Sequence, residues 1–78
     1  MVNGYKRRLK MIDNMTNLKR IRISAGITQA LLAERAEISL RTYQDYEQGR
    51  KPINGAAAIT VYRIAKTLNV PIENILEL

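Results

Sequence analysis

From Met15 to the end of the chain, apolar residues recur every three or four positions and no stretch alternates strictly between apolar and polar, so the pattern predicts helices and no strands. Leu18, Ile21 and Ala25 fall on one face of a first helix, which starts near Asn14 or Thr16 and ends at Gly26, a residue suited to the left-handed backbone that closes helices. Thr28 is placed to cap a second helix through Ala36, with Leu32, Ala33 and Ala36 facing inward, and Ser39 to cap a third that ends at Gly49. Only Glu37 and Ile38 lie between the second helix and Ser39, so these two helices must meet at a large angle. Residues 50–55 are a loop by composition, and Asn54 is placed to cap a fourth helix beginning at Ala56, Ala57 and Ala58. Its apolar stripe is Ala57, Val61, Ile64, Ala65 and Leu68, and Asn69 stops it. Pro71 suits the first turn of a fifth, short helix carrying Ile72, Ile75 and Leu76, with Glu73 complementing its dipole.

Residues 1–14 read differently. Lys6, Arg7, Arg8 and Lys10 stand against one acid, Asp13, which marks a basic N-terminal arm before a domain spanning residues 15–78. Tyr5, Leu9 and Ile12 do fall at helical spacing, so a short docked helix is the alternative, opposed by the nucleation cost of so short an isolated helix.

Composition narrows the function. The chain has 78 residues with 13 Lys plus Arg against 7 Asp plus Glu, a net charge of +6, and no His, Cys or Trp. One compact domain is the expectation at this length. Lacking thiol and imidazole, it offers no Ser-His-Asp triad, no thiolate nucleophile and no nitrogen-sulfur zinc site, so no enzyme, metal or cofactor is expected. The positive field favours a polyanionic partner. No apolar run has the length of a signal peptide or a membrane span, and the expected location is the cytoplasm.

Thr28-Gln29, Leu32-Ala33, Ile38-Ser39 and Tyr46-Glu47-Gln48-Gly49, in that order and spacing, resemble the Cro/C1-type (XRE-like) helix-turn-helix family of small bacterial and phage regulators. The resemblance covers about residues 15–76. It implies a five-helix, lambda-repressor-like DNA-binding domain, with the helix-turn-helix at the second and third helices. It further implies that Gln29, at the N-terminus of the second helix, clamps the DNA backbone, and that Arg22 forms a partly buried ion pair with Glu47, which would otherwise sit awkwardly at the negative end of its helix dipole. Small Ala33 fits a close crossing of the two helices, where a larger side chain would overpack at ~1 to 3 kcal/mol. One departure stands out: Glu37 occupies the turn where the family commonly has Gly, so left-handed backbone there would cost ~1 kcal/mol or more.

In such a fold the third helix enters the major groove by its N-terminal end. With Tyr43 and Tyr46 turned inward, Ser39, Leu40, Arg41, Thr42, Gln44, Asp45 and Gln48 are left to face outward or sideways. Arg41 matches guanine and Gln44 matches adenine, Leu40 suits a thymine methyl, and Asp45 must accept from cytosine or pair with Arg41 to avoid repelling phosphates. Arg50 and Lys51 are candidate phosphate contacts. The arm's cations either enter a minor groove or only solubilise. Val70, Ile72, Ile75, Leu76 and Leu78 are the candidate homodimer surface, the alternative for Ile72, Ile75 and Leu76 being that they close the monomer core. The expected partners are double-stranded DNA and a second copy; the function expected is transcriptional regulation, most simply repression, the alternative being an antitoxin or another protein-interaction module on the same fold.

Overall fold

The computed structural model describes residues 15–78, and the arm expected over residues 1–14 lies outside them. Four α-helices follow one another: α1 (Asn17–Ala25), α2 (Gln29–Ala36), α3 (Leu40–Gln48) and α4 (Ala58–Leu68), with single 3-10 turns at Ile53–Gly55 and Ile72–Asn74. No strand occurs among the described residues.

Local chemistry sets the first three helix starts. Thr16, Thr28 and Ser39 each sit in extended backbone and accept, through the side-chain oxygen, the N–H three residues on, at 3.2, 3.1 and 3.0 Å. Each thereby satisfies one of the four N–H groups that a helix start leaves without a partner. All four helices end in left-handed backbone, at Gly26 (φ 70°), Glu37 (φ 60°), Gly49 (φ 80°) and Asn69 (φ 58°). Glu37 therefore adopts the conformation a glycine would take without strain, and its N–H closes α2 onto the carbonyls of Ala33 and Glu34.

The core lies between the helices. Leu18, Leu32, Tyr43, Ile64 and Ile75 are wholly buried, joined by Ala33, Ala36, Ile53, Val61, Ala65 and Leu68. α2 packs against both α3 and α4 and buries two alanines, whose small side chains permit close approach. Burial of each large apolar side chain contributes ~1.5 to 3 kcal/mol.

Four sequence expectations are corrected. Asn54 caps nothing: its Nδ2 donates to the Glu77 carbonyl at 2.7 Å and its Oδ1 accepts the Glu77 N–H at 2.8 Å, clasping the C-terminal segment. α4 accordingly begins at Ala58, with Ala57 as an N-cap that offers no side-chain bond. Ala25 and Ala57 are exposed because each stands at a helix end where the chain turns away from the core. In place of a fifth α-helix there is the one 3-10 turn Ile72–Asn74. A single turn cannot repay helix nucleation, and the residues after it are held by Asn17, whose Nδ2 donates to the Leu76 carbonyl at 2.8 Å and whose N–H donates to Glu77 Oε2 at 2.6 Å.

Candidate nucleic-acid interface

Tyr43 and Glu47, one turn apart, root α3 in the protein; both are buried, Glu47 to 1 % exposure. A buried carboxylate is costly unless every lone pair finds a donor. Here Arg22 Nε donates to Oε2 at 2.7 Å and Nη2 to Oε1 at 3.1 Å, Tyr43 Oη donates to Oε2 at 2.7 Å, and Gln29 Nε2 donates to Oε1 at 2.7 Å. Arg22 Nη1 also donates to the Ile27 carbonyl at 2.9 Å, fixing the guanidinium plane. At the same level Thr16 Oγ1 donates to the Glu47 carbonyl at 2.7 Å, so the cap of α1 also secures the last turn of α3. One carboxylate thus joins α1, the start of α2 and the end of α3.

The electrostatics follow from this geometry. Burial alone would push the Glu47 carboxyl up, but the hydrogen bonds from Arg22, Tyr43 and Gln29 outweigh it and hold the group below the usual glutamate range. Arg22 is held charged more firmly, first by its hydrogen bond to Glu47. Tyr43 is pushed upward, by burial first and then by the adjacent carboxylate, so it stays a neutral donor.

With that face anchored, the other side of α3 is open. Ser39 is exposed, Leu40 is 43 % exposed, and the Arg41 side chain is 81 % exposed. Thr42, Gln44 and Asp45 are partly buried, and Gln48 is exposed. Thr42 is occupied by the cap, its Oγ1 accepting from Ser39 Oγ at 2.9 Å. Asp45 has two cationic neighbours: Arg50 Nε at 2.9 Å and, one turn back, Arg41 Nε at 3.7 Å. These hold its carboxyl below the usual aspartate range, the Arg50 hydrogen bond most of all. Arg50 also donates to Gln48 Oε1. Lys51 is exposed and its N–H bonds the Asp45 carbonyl at 3.1 Å, continuing from the end of α3.

Gln29 departs most from its expected posture. Its side chain turns inward at the start of α2, with Nε2 on Glu47 and Oε1 accepting from Gln44 Nε2 at 3.2 Å. The Glu47 contacts of Gln29 and Tyr43, the Thr16 clasp and the closeness of Arg50 to Asp45 are not visible in the sequence pattern. Only the Tyr43–Glu47 pair carried a local signal, being four residues apart on one helix. Among the described residues no group of acids, His or Cys could hold a metal ion, and no helix is long and apolar enough to cross a membrane.

A helix anchored by its buried side beside a second, shorter helix, with a largely polar outer face that leads into Arg50 and Lys51, is the arrangement of a helix-turn-helix DNA-binding domain. The helix-turn-helix family model matches residues 18–75, a span that begins at Leu18 and closes at Ile75, both wholly buried. The chain belongs to the Cro/C1-type (XRE-like) helix-turn-helix family of DNA-binding transcription regulators. No curated protein and no solved structure matches it significantly.

Proposed function

We propose that the protein is a sequence-specific repressor that lays α3 in the major groove of an operator and blocks transcription from it. The observation that carries this reading is the polarity of α3: Tyr43 and Glu47 are buried while Ser39, Leu40 and Arg41, at its N-terminal end, are exposed. Arg41, Gln44, Leu40 and Ser39 are the proposed base contacts, with Thr42 and Asp45 beside them, and Arg50 and Lys51 are assigned to the phosphates, the Gln29 side chain being held inward by Glu47. Residues 1–14 are proposed as a basic arm that adds backbone attraction, to be tested by its deletion. In a gel shift at physiological salt the protein should retard a discrete subset of genomic fragments; retardation of none, or of all alike, rejects the reading.

One domain of this size reads a single half-site, so operator binding calls for two copies about 34 Å apart. Ile75 is wholly buried and Leu76 partly so, which assigns them to the monomer core. Ile72 stays on the surface at 40 % exposure, and the face proposed for the second copy joins it to Ile59 and Tyr62, at 51 % and 48 %, beside a groove of about 350 Å³ lined by Tyr62, Ala65, Lys66, Val70, Pro71 and Ile72. The same apolar face favours a second reading, an antitoxin whose partner protein covers it. Palindromic selected sites and a dimer mass for the purified chain support the first; a monomer that binds no DNA supports the second.

A further inference from the structure

We infer that the cleft between α2 and α4, lined by Arg35, Arg63, Lys66 and Thr67, is a docking site for an acidic segment of a second protein. Such a site is separate from the residues proposed to read DNA and does not require that α3 read it.

α2 and α4 pack against each other, and the C-terminal halves of both supply the cleft, which holds about 360 Å³. Arg35 stands in the last turn of α2 and Lys66 in the last turn of α4, both exposed. Among the described residues Arg35 has no hydrogen-bond or charged partner. Lys66 has a neutral one there: its Nζ donates to Tyr62 Oη at 3.3 Å and lies 5.6 Å from the centre of the ring. Arg63 is half-buried and meets the Glu37 carboxylate at a loose 3.7 Å. Three cations thus converge on one cleft beside a single exposed counter-charge. A cleft lined by one sign of charge focuses its field and concentrates partners of the other sign.

The walls select among anions. Arg35 and Lys66 lie at the negative ends of their own helix dipoles, which offset part of their charge, and Glu37 stands beside Arg63. A phosphate chain passing here would meet a weakened field and a repelling carboxylate. The Thr67 hydroxyl donates to the Arg63 carbonyl at 2.8 Å, so it keeps no proton for a phosphate oxygen. What remains is two guanidinium forks and one ammonium on long methylene stems. These match separate carboxylates, while the stems cover an apolar side chain set between them. This chain does not supply such a segment. Its first fourteen residues carry Lys6, Arg7, Arg8 and Lys10 against Asp13. In a second copy Glu34 follows the chain beside Arg35, Glu37 lies against Arg63 and Glu77 accepts the Asn17 N–H, which leaves Glu73 alone to be offered. The occupant is therefore a different protein, bearing two or more Asp or Glu around an apolar residue.

The experiment is selection from a random peptide library by the wild-type chain and by Arg35→Gln/Lys66→Gln. NMR titration of the labelled chain follows, with the enriched peptide, with its counterpart carrying Asn and Gln for Asp and Glu, and with a random-sequence duplex. Both substitutions are exposed and keep helix preference, so the fold should stand; Arg35→Gln alone serves if the double variant does not fold. The wild-type chain should enrich acidic peptides and the variant should not. The enriched peptide should shift the backbone signals of Arg35, Arg63, Lys66 and Thr67, and its amide counterpart should shift none. Affinity should fall about two- to fivefold for each cation replaced, and further as salt is raised. The salt slope of duplex binding should be equal in wild type and variant, because the phosphates are met elsewhere.

Enrichment without acids, or an enriched peptide that shifts only Leu40, Arg41 and Arg50, overturns the inference. A duplex that shifts the cleft residues and loses salt slope in the variant also overturns it, and assigns the cleft to DNA phosphates instead. A wild-type chain that binds no duplex overturns the proposed function and leaves the peptide result to decide the docking site.

Discussion

Arg22 holds Glu47 from 25 residues away by two hydrogen bonds, Nε to Oε2 at 2.7 Å and Nη2 to Oε1 at 3.1 Å. The pair spans from α1 to the last turn of α3, so the seating of α3 against α1 depends on it. Removing one partner of a buried pair leaves the other charge, and here also Tyr43 and Gln29, without its complement. Glu47→Ala should therefore destabilise the fold by ~3 to 5 kcal/mol, which for a domain this small lowers Tm by about 12 °C or more. Arg22→Leu combined with Glu47→Leu should recover part of the loss, because two apolar side chains leave no orphaned charge. A thermal melt of Glu47→Ala that matches wild type would remove the ion pair from any structural role.

The same cluster sets the pH limits of stability. Glu47 is held below its ordinary value of 4.5, so the folded state binds fewer protons than the unfolded one in acid. Its contribution is complete above that value and is lost as pH falls through the lower folded pKa. Tyr43 is held above its ordinary value of 10.0, so its contribution is complete below pH 10 and is lost as pH rises beyond it. Urea melts across the pH range should show a plateau between about pH 5 and 9 with two falling limbs. Glu47→Gln should flatten the acid limb and Tyr43→Phe the alkaline one, each at a lower plateau.

Glu37 carries strain that can be relieved. Its φ of 60° is left-handed, a region that costs an L side chain ~1 to 2 kcal/mol relative to right-handed backbone. Its side chain offers little in return, standing 69 % exposed at 3.7 Å from Arg63. Glu37→Gly should raise the unfolding free energy by about 0.5 to 1 kcal/mol, after allowance for the added freedom of the unfolded chain. Asn69→Gly, at φ 58°, should gain less, since Asn tolerates this conformation better than Glu. A lower urea midpoint for Glu37→Gly would show that the turn draws more from the Glu side chain than its contacts suggest.

Two cations at opposite ends of α3 should fail in different ways. Arg41 is proposed to pair with a base, so Arg41→Ala should relax preference at one position, at ~1 to 3 kcal/mol of lost discrimination. Lys51 is proposed to meet phosphate, so Lys51→Ala should weaken all sequences alike and lower the salt slope by about 1. Titrations against cognate and scrambled duplexes at several salt concentrations separate the two. Loss of preference in Lys51→Ala would reverse the assignment.

How far the chain could be read in advance depended on distance along it. The caps at Thr28 and Ser39 and the stop at Gly26 were legible because each acts within three residues of itself. Asn54 has the type and place of a cap, but its partner, Glu77, lies 23 residues away, and nothing local distinguishes a clasp from a cap. Pro71 suits a helix start, but beyond the Ile72–Asn74 turn the backbone at Leu76 and Glu77 is held by Asn17 and Asn54, 59 and 23 residues away, partners that no local pattern shows. In the candidate interface, residue types were legible and side-chain directions were not. Glutamine at the start of α2 suggested an outward phosphate contact, whereas its amide is turned inward by a carboxylate 18 residues later. That relationship exists only once α3 has been packed across α2.

Asp45 is an acid on a surface proposed to meet a polyanion, and its neighbours decide what it does there. It lies 2.9 Å from Arg50 and 3.7 Å from Arg41, so one negative charge offsets two cations that would otherwise face phosphates. Asp45→Asn keeps the shape and removes the charge, freeing Arg50 to reach the backbone and leaving Arg41 without its competitor. Non-specific affinity at low salt should rise several-fold, and the salt slope should steepen by about 1, because one more counterion is released on binding. Discrimination between cognate and scrambled duplexes should fall, since the added attraction is blind to sequence. The fold should be little affected, because Arg50 is 54 % exposed and exposed ion pairs contribute little to stability. Wild-type and Asp45→Asn titrations with parallel salt dependence would place Asp45 outside the field of the phosphates, and α3 would then have to meet DNA by a different edge.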